Sequence, residues 1–228
     1  MFTTQWAVQL AEHLQTVAVV LSDQSLGQSR AIVATPPNLE LPLARRTAAA
    51  PEDTYYRYAL VADDVSPMAV PGTPQGMYTA EGLEHNERGT PSSRASDHIE
   101  QLDKRRRKIT AFDFGAHWAE QSGDGDIALL TWGSSSGAVQ EAAARLESAG
   151  LSVRVVALRL LMPLPRDALV KALAGCKPIW VIEQNHGCQL FHYLKSLGVL
   201  PDGARSLAHP GPLPLRPGNI VAALTEEA

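Results

Sequence analysis

The spacing of apolar residues along this chain predicts two α/β segments separated by a long stretch with no regular rhythm. At the start, Trp6, Ala7, Leu10, Ala11 and Leu14 recur at helical intervals, so residues 4–15 read as an amphipathic helix. The continuous apolar run Val17-Ala18-Val19-Val20-Leu21 that follows is of the kind buried in a parallel strand. From 57 to 108 periodicity disappears, apart from a helical pattern over 93–112. It returns with Ile127–Trp132 as a buried strand and Gly133-Ser134-Ser135-Ser136-Gly137 as its turn. Val139, Ala142, Ala143, Leu146 and Ala149 then line one face of a helix over 136–149, stopped by Gly150. Strands follow at 153–158 and 179–183 and helices at 166–175 and 187–197, with Pro165 placed where a first turn tolerates proline. The tail, 204–228, predicts a short strand and a closing helix.

Strands alternating with helices through short connections imply a mostly parallel, doubly wound α/β sheet with right-handed crossovers, over about 120–228. The first segment differs. A helix followed by one strand is the end of a βαβ unit whose earlier strand is absent, and an unpaired buried backbone is costly. Either the C-terminal part or another chain is expected to supply the partner strand. The organisation expected is a helix–strand remnant at 1–35, a long connecting loop with a basic helix at 36–119, and an α/β domain at 120–228. Loops of that length are usually functional or linkers.

Composition narrows the class. A formal net charge of −4 provides no general attraction for nucleic acid or an anionic membrane surface. No apolar run reaches the length that spans a bilayer, and no basic-then-apolar leader opens the chain, so a cytoplasmic protein is expected. Cys176 and Cys188 are too few for a disulfide framework and show no CxxC spacing, which fits reduced thiols.

In open α/β sheets, ligands meet the carboxyl ends of the strands. Here those ends carry the Ser134–Ser136 turn, the Pro163 loop and Glu183-Gln184-Asn185-His186-Gly187. The serines suit helix capping better than an anion site, because neither a GxGxxG nor a Walker pattern is present. Glu183 is expected to be exposed or paired with a partner arginine. Gly133–Gly137 also satisfies G-x-S-x-G between a strand and a helix, with Asp167 or Asp202 and His186 or His209 downstream. A serine hydrolase using Ser135 is therefore a remote alternative; no HGGG-type oxyanion segment precedes it.

The loop carries the densest polar chemistry. Asp103-Lys104-Arg105-Arg106-Arg107-Lys108 surrounds its helix rather than striping it, and no aromatic interleaving supports a nucleic-acid site. Glu84, His85 and Glu87 are so close in sequence that they suit a turn better than a metal's coordination sphere. Guanidinium and ammonium groups held against those acids are more plausible.

Several motifs in order carry a resemblance. They are Val19–Gly27 (VVLSDQSLG), Tyr58 with Ser66-Pro67 and Pro71-Gly72, Glu84-His85-Asn86-Glu87-x-Gly89, and Asp103-Lys104-Arg105-x-x-Lys108. Trp132-Gly133-Ser134, Pro163-Leu164-Pro165 and Glu183-Gln184-Asn185-His186-Gly187-x-Gln189 follow. Together they resemble the C-terminal part of the alpha subunit of 2-oxoacid:ferredoxin oxidoreductases, of the 2-oxoglutarate type. The resemblance implies oxidative decarboxylation of a 2-oxoacid onto coenzyme A, with thiamine diphosphate, and electrons passed through iron–sulfur clusters to ferredoxin. It implies a transketolase C-terminal-domain-like fold for the last domain and a pyrimidine-binding-domain remnant for the first.

It also implies where the chemistry is not. The glutamate that activates the pyrimidine ring and the arginine and threonine that hold the 2-oxoacid would precede Met1. The diphosphate and magnesium site would belong to the beta subunit, and two cysteines cannot ligate a four-cysteine cluster. No catalytic, cofactor or metal residue is thus assigned here. The expected partners are the beta subunit, the remaining alpha/gamma portion and, for the assembly, ferredoxin. Met68 stands where the family often has arginine, and Cys188 interrupts a usual Gly-Gln. Two readings follow: a piece that completes a multi-subunit oxidoreductase, or a non-catalytic scaffold, regulatory module or inactive fragment. In either, Glu84, His85, Glu87, Lys104, Arg105 and Lys108 are candidates for a domain or subunit interface.

Overall fold

The computed structural model describes residues 1–35, 38, 41–49 and 54–226. They form two compact units, Met1–Val20 with Val33–Asp113, and Leu21–Ile32 with Phe114 onward.

The second unit is the α/β domain. Its sheet has the order β1-β3-β2-β4-β5, with β1 Ala119–Ser122, β2 Ile127–Trp132, β3 Val153–Leu158, β4 Ile179–Glu183 and β5 Arg205–Ala208. The β2–β3, β2–β4 and β4–β5 pairs are parallel, and only β1 runs antiparallel, along β3. Strands β2, β3 and β4 are buried on both faces, which is why they read as continuous apolar runs. Ala128 and Leu130 pack with Leu169, Leu190 and Leu194 of helices α5 (Arg166–Ala172) and α6 (Gln189–Ser196). Leu129 faces the other way, toward Val139 and Leu146 of α4 (Ser135–Ser148) and Ile220 and Leu224 of α7 (Pro217–Glu226). Helices thus cover both faces, and the fold is the mostly parallel doubly wound sheet expected.

Two elements of this unit carry no apolar signal. Strand β1 reads Ala-Glu-Gln-Ser and buries only its first residue, because it is an edge strand tied by backbone bonds. The short helix α2, Gln24–Gln28, begins at Asp23, whose Oδ1 accepts from Leu26 N–H at 2.9 Å.

The first unit contains α1, Phe2–Leu14, and α3, Ala95–Thr110. Trp6, Leu10 and Leu14 are the buried face of α1. Between 54 and 94 the backbone has bridges at Met68 and at His85–Pro91 but no helix or strand among the described residues. The strand expected at Val17–Leu21 does not form: Val17 is 84% and Val19 75% exposed. No neighbouring strand is available within the described residues to satisfy its backbone, so it remains extended chain.

Candidate functional site

At the carboxyl ends of the strands the polar groups are engaged internally. Ser135, 6% exposed, donates from Oγ to Trp132 O at 2.8 Å and lies 3.0 Å from Thr131 Oγ1. Among the described residues no histidine or carboxylate is bonded to that oxygen, so the hydrolase alternative lacks its general base. The N-cap of α4 is Ser134, whose side chain does not cap; it donates instead to the Asp23 carboxylate. That bond, with the one from Leu26 N–H, holds the Asp23 carboxyl below its ordinary range.

Glu183 corrects an expectation. It is neither exposed nor paired with arginine, but 1% exposed at the end of β4. Its Oε2 accepts from Leu190 N–H at 2.8 Å and from Asn185 Nδ2 at 2.5 Å, and Oε1 accepts from Phe191 N–H at 3.0 Å. The first turn of α6 has free N–H groups and the positive end of the helix dipole, and the carboxylate satisfies both. Cys188, the residue before α6, sits at φ 48°, the left-handed conformation that glycine adopts without strain.

The loop cluster lies in the first unit. Asn86 Oδ1 accepts from Arg88 and Thr90 N–H at 3.0 and 3.2 Å, and Gly89 takes φ +84°, so 84–90 is a tight turn. Glu84 projects to α3 and is gripped by Arg105 through two bonds of 3.0 and 2.7 Å, with His98 Nδ1 at 2.8 Å. The Arg105 guanidinium, more than His98, pulls the Glu84 carboxyl down to about 2.

Glu87 accepts from Leu60 N–H at 2.8 Å rather than from a basic side chain. His85, 5% exposed, stacks on Tyr58 with centroids 5.0 Å apart. Lys104 is 6% exposed and donates to Tyr58 O at 3.0 Å, Ala59 O at 2.7 Å and Ser66 Oγ. Burial, reinforced by Lys108 and Arg57, lowers its ammonium to about 8. Lys108 reaches Gln15 O at 3.1 Å, and burial lowers it too.

Sequence reasoning missed three members. Arg57, 9% exposed, donates to Gln15 Oε1 at 2.7 Å and lies over the Tyr58 and Tyr78 rings at 5.2 and 5.6 Å. Asp64 binds Arg107 at 2.8 and 2.9 Å. Gln15 ends α1 and receives both Arg57 and Lys108. Nothing in their sequence context marks these pairings, which join residues 42 to 93 positions apart. The whole is a polar clamp on α1, the loop and α3. Most of its donors and acceptors serve each other, with Arg57 Nε and His85 Nε2 buried without a hydrogen-bond partner.

Residues 125–197 match the family model described as pyruvate:ferredoxin oxidoreductase core domain II. The 2-oxoacid:ferredoxin oxidoreductase subunit alpha of Saccharolobus solfataricus is 28% identical over 208 residues, 86% of this chain and 32% of that protein. A solved structure of 2-oxoglutarate:ferredoxin oxidoreductase from Magnetococcus marinus superimposes on 96% of this chain and 39% of its own, at 34% identity and a TM-score of 0.83.

The chain is related to the alpha subunits of 2-oxoacid:ferredoxin oxidoreductases.

Subunit KorA of the 2-oxoglutarate synthase of Methanothermobacter marburgensis is 27% identical over 82% of this chain and 50% of its own length. The chain therefore spans about a third to a half of the length of these relatives. The M. marinus enzyme was solved with 2-oxoglutarate, coenzyme A and succinyl-CoA bound. Among the described residues of this chain, no group of three or more His, Cys, Asp or Glu side chains could hold a metal ion. No described helix is long and apolar enough to cross a membrane.

Proposed function

We propose that the chain is the C-terminal portion of the alpha subunit of a thiamine-diphosphate-dependent 2-oxoglutarate:ferredoxin oxidoreductase. In this reading the assembly decarboxylates a 2-oxoacid oxidatively to its acyl-CoA, and other chains hold thiamine diphosphate, magnesium and the iron–sulfur clusters. The observation that carries it is the superposition of 96% of the chain on an enzyme holding 2-oxoglutarate, coenzyme A and succinyl-CoA. This chain would supply orientation and binding surface, while the cofactor supplies the carbanion chemistry. It works in the cytoplasm with a beta subunit, the remaining alpha/gamma portion and ferredoxin.

The domain division follows from the same reading. Residues 1–35 are the end of the pyrimidine-binding domain, 36–119 the connection, and 120–228 the transketolase C-terminal-like domain. The exposed Val17–Leu21 run then pairs with a strand of the rest of the alpha subunit. The clamp residues Glu84, His85, Glu87, Lys104, Arg105 and Lys108 set the surface that this neighbour meets.

The test is co-expression with the chains encoded beside it. Dye reduction dependent on 2-oxoglutarate and coenzyme A is expected only when this chain is present. Equal activity with and without it would overturn the catalytic assembly and leave a scaffold or inactive module.

A further inference from the structure

Beside the clamp, the first unit has a cavity of about 350 Å3, within the size range of small-molecule sites. It lies between the first two turns of α3 and the 86–88 turn, with Tyr56 next to them. Arg94, Asp97 and Glu100 line it from the α3 side, together with the buried Gln101, and Glu87 and Arg88 line it from the turn. Two guanidiniums and three carboxylates thus share one small space, yet among the described residues no ion pair joins any of them. Asp97 is engaged by the Ser92 hydroxyl, and one oxygen of Glu87 by Leu60 N–H. The Arg88 guanidinium lies over the Tyr56 ring at 5.6 Å from its centroid, with no carboxylate bonded to it. The Arg94 guanidinium and the Glu100 carboxylate have no hydrogen-bond or ion-pair partner among the described residues.

Unpaired charges of both signs around one cavity select a ligand that carries both. A sphere of that volume is about 9 Å across, inside the Debye length of about 10 Å at 0.1 M salt, so every lining charge acts on whatever enters. A simple anion at Arg88 and Arg94 would stand against Glu87 and Glu100, and a simple cation at those acids would stand against the arginines. We infer that the cavity binds a free α-amino acid. Its carboxylate meets Arg88 and Arg94, and its ammonium meets Glu100 and the remaining oxygen of Glu87. Apart from Tyr56, whose ring carries Arg88, the described lining is polar, so a polar side chain is taken in preference to an aliphatic one. The inference is independent of the proposed oxidoreductase function: Arg88, Arg94 and Glu100, which carry it, have no part in the interface proposed there.

The probe is L-glutamine, titrated calorimetrically into the full chain beside two analogues that each lack one of its charges. 4-Carbamoylbutanoate keeps the carboxylate without the ammonium, and 4-aminobutanamide keeps the ammonium without the carboxylate. Saturable one-to-one binding of L-glutamine is expected, with both analogues and L-leucine roughly tenfold weaker. Arg94→Gln and Glu100→Gln alter exposed side chains whose charged groups have no partner, so both chains keep the wild-type fold. Each should weaken L-glutamine binding about fivefold. Either analogue or L-leucine binding as tightly as L-glutamine would overturn the inference, and so would an affinity unmoved in both variants. Failure of L-glutamine to saturate at millimolar concentration would overturn it as well.

Discussion

Lys104 is the strictest test of the loop clamp, because its contacts and its titration predict different things. Replacing it with Met removes three donor contacts, to Tyr58 O, Ala59 O and Ser66 Oγ. Charge-assisted bonds of this kind contribute about 1.5–3 kcal/mol each when their loss strands the partner. Here the partners are not stranded. Tyr58 O keeps Gln101 Nε2 at 3.0 Å, and Ala59 O keeps Ser66 Oγ at 2.8 Å. Against the lost bonds stands the burial that lowers the ammonium from 10.5 to about 8. At about 1.4 kcal/mol per pH unit, that difference of about 2.5 units is on the order of 3 kcal/mol opposing the charged form at neutral pH. The net cost of Lys104→Met at pH 7 is therefore small, about 1–2 kcal/mol.

The titration has a definite sign. The folded ammonium loses its proton near pH 8 while the unfolded one holds it to about 10.5, so the unfolded chain binds more protons in that window. Wild-type stability, measured relative to Lys104→Met, rises from pH 8 to 10.5, and below 8 the penalty is present in full. Urea unfolding followed by tryptophan fluorescence at several pH values between 7 and 10.5 measures that difference, with other titrating groups cancelling between the two chains. A difference constant across the window would refute the reading of Lys104 as a buried, strained cation. A loss above 4 kcal/mol at pH 7 would show its acceptors to depend on it alone.

Glu84 titrates with the opposite sign: its carboxyl, held at about 2 against an ordinary 4.5, stabilises the fold above about pH 4.5 and stops doing so as pH falls toward 2. Because Arg105 is 48% exposed the effect is discounted to about 1–2 kcal/mol, and acid unfolding of Glu84→Gln should lack that part of the wild-type slope. Glu183→Ala leaves the N–H groups of Leu190 and Phe191 without their carboxylate, for a loss of about 3 kcal/mol in denaturant unfolding; Glu183→Gln keeps an acceptor and loses about half as much. A methyl on Gly125 would overlap the backbone of Ser152 and Val153, which cannot swing aside, so Gly125→Ala should cost about 2–4 kcal/mol by thermal unfolding.

How much of this was legible beforehand depends on which force holds each part. Strands β2, β3 and β4 are buried on both faces and helices α4 and α6 on one, so apolar spacing alone reports them. Strand β1 is held by backbone bonds to β3, and its residues carry no mark of that. Val17–Leu21 fails for the converse reason: its side chains have strand character, but a strand also needs a neighbour, and none lies among the described residues.

The site was legible in composition and not in pairing. Acids at 84–87 and cations at 104–108 announce charge compensation, yet only the bond between Glu84 and Arg105 joins the two runs directly. Lys104 and Lys108 instead seek main-chain oxygens, and Glu87 a main-chain N–H. A loop without helix or strand hydrogen bonds has backbone groups left to satisfy, and buried ones must find partners. Its charged side chains supply them. That need explains why so polar a stretch packs at all, and it turns residues that look catalytic in sequence into the frame that holds α1 and α3 together.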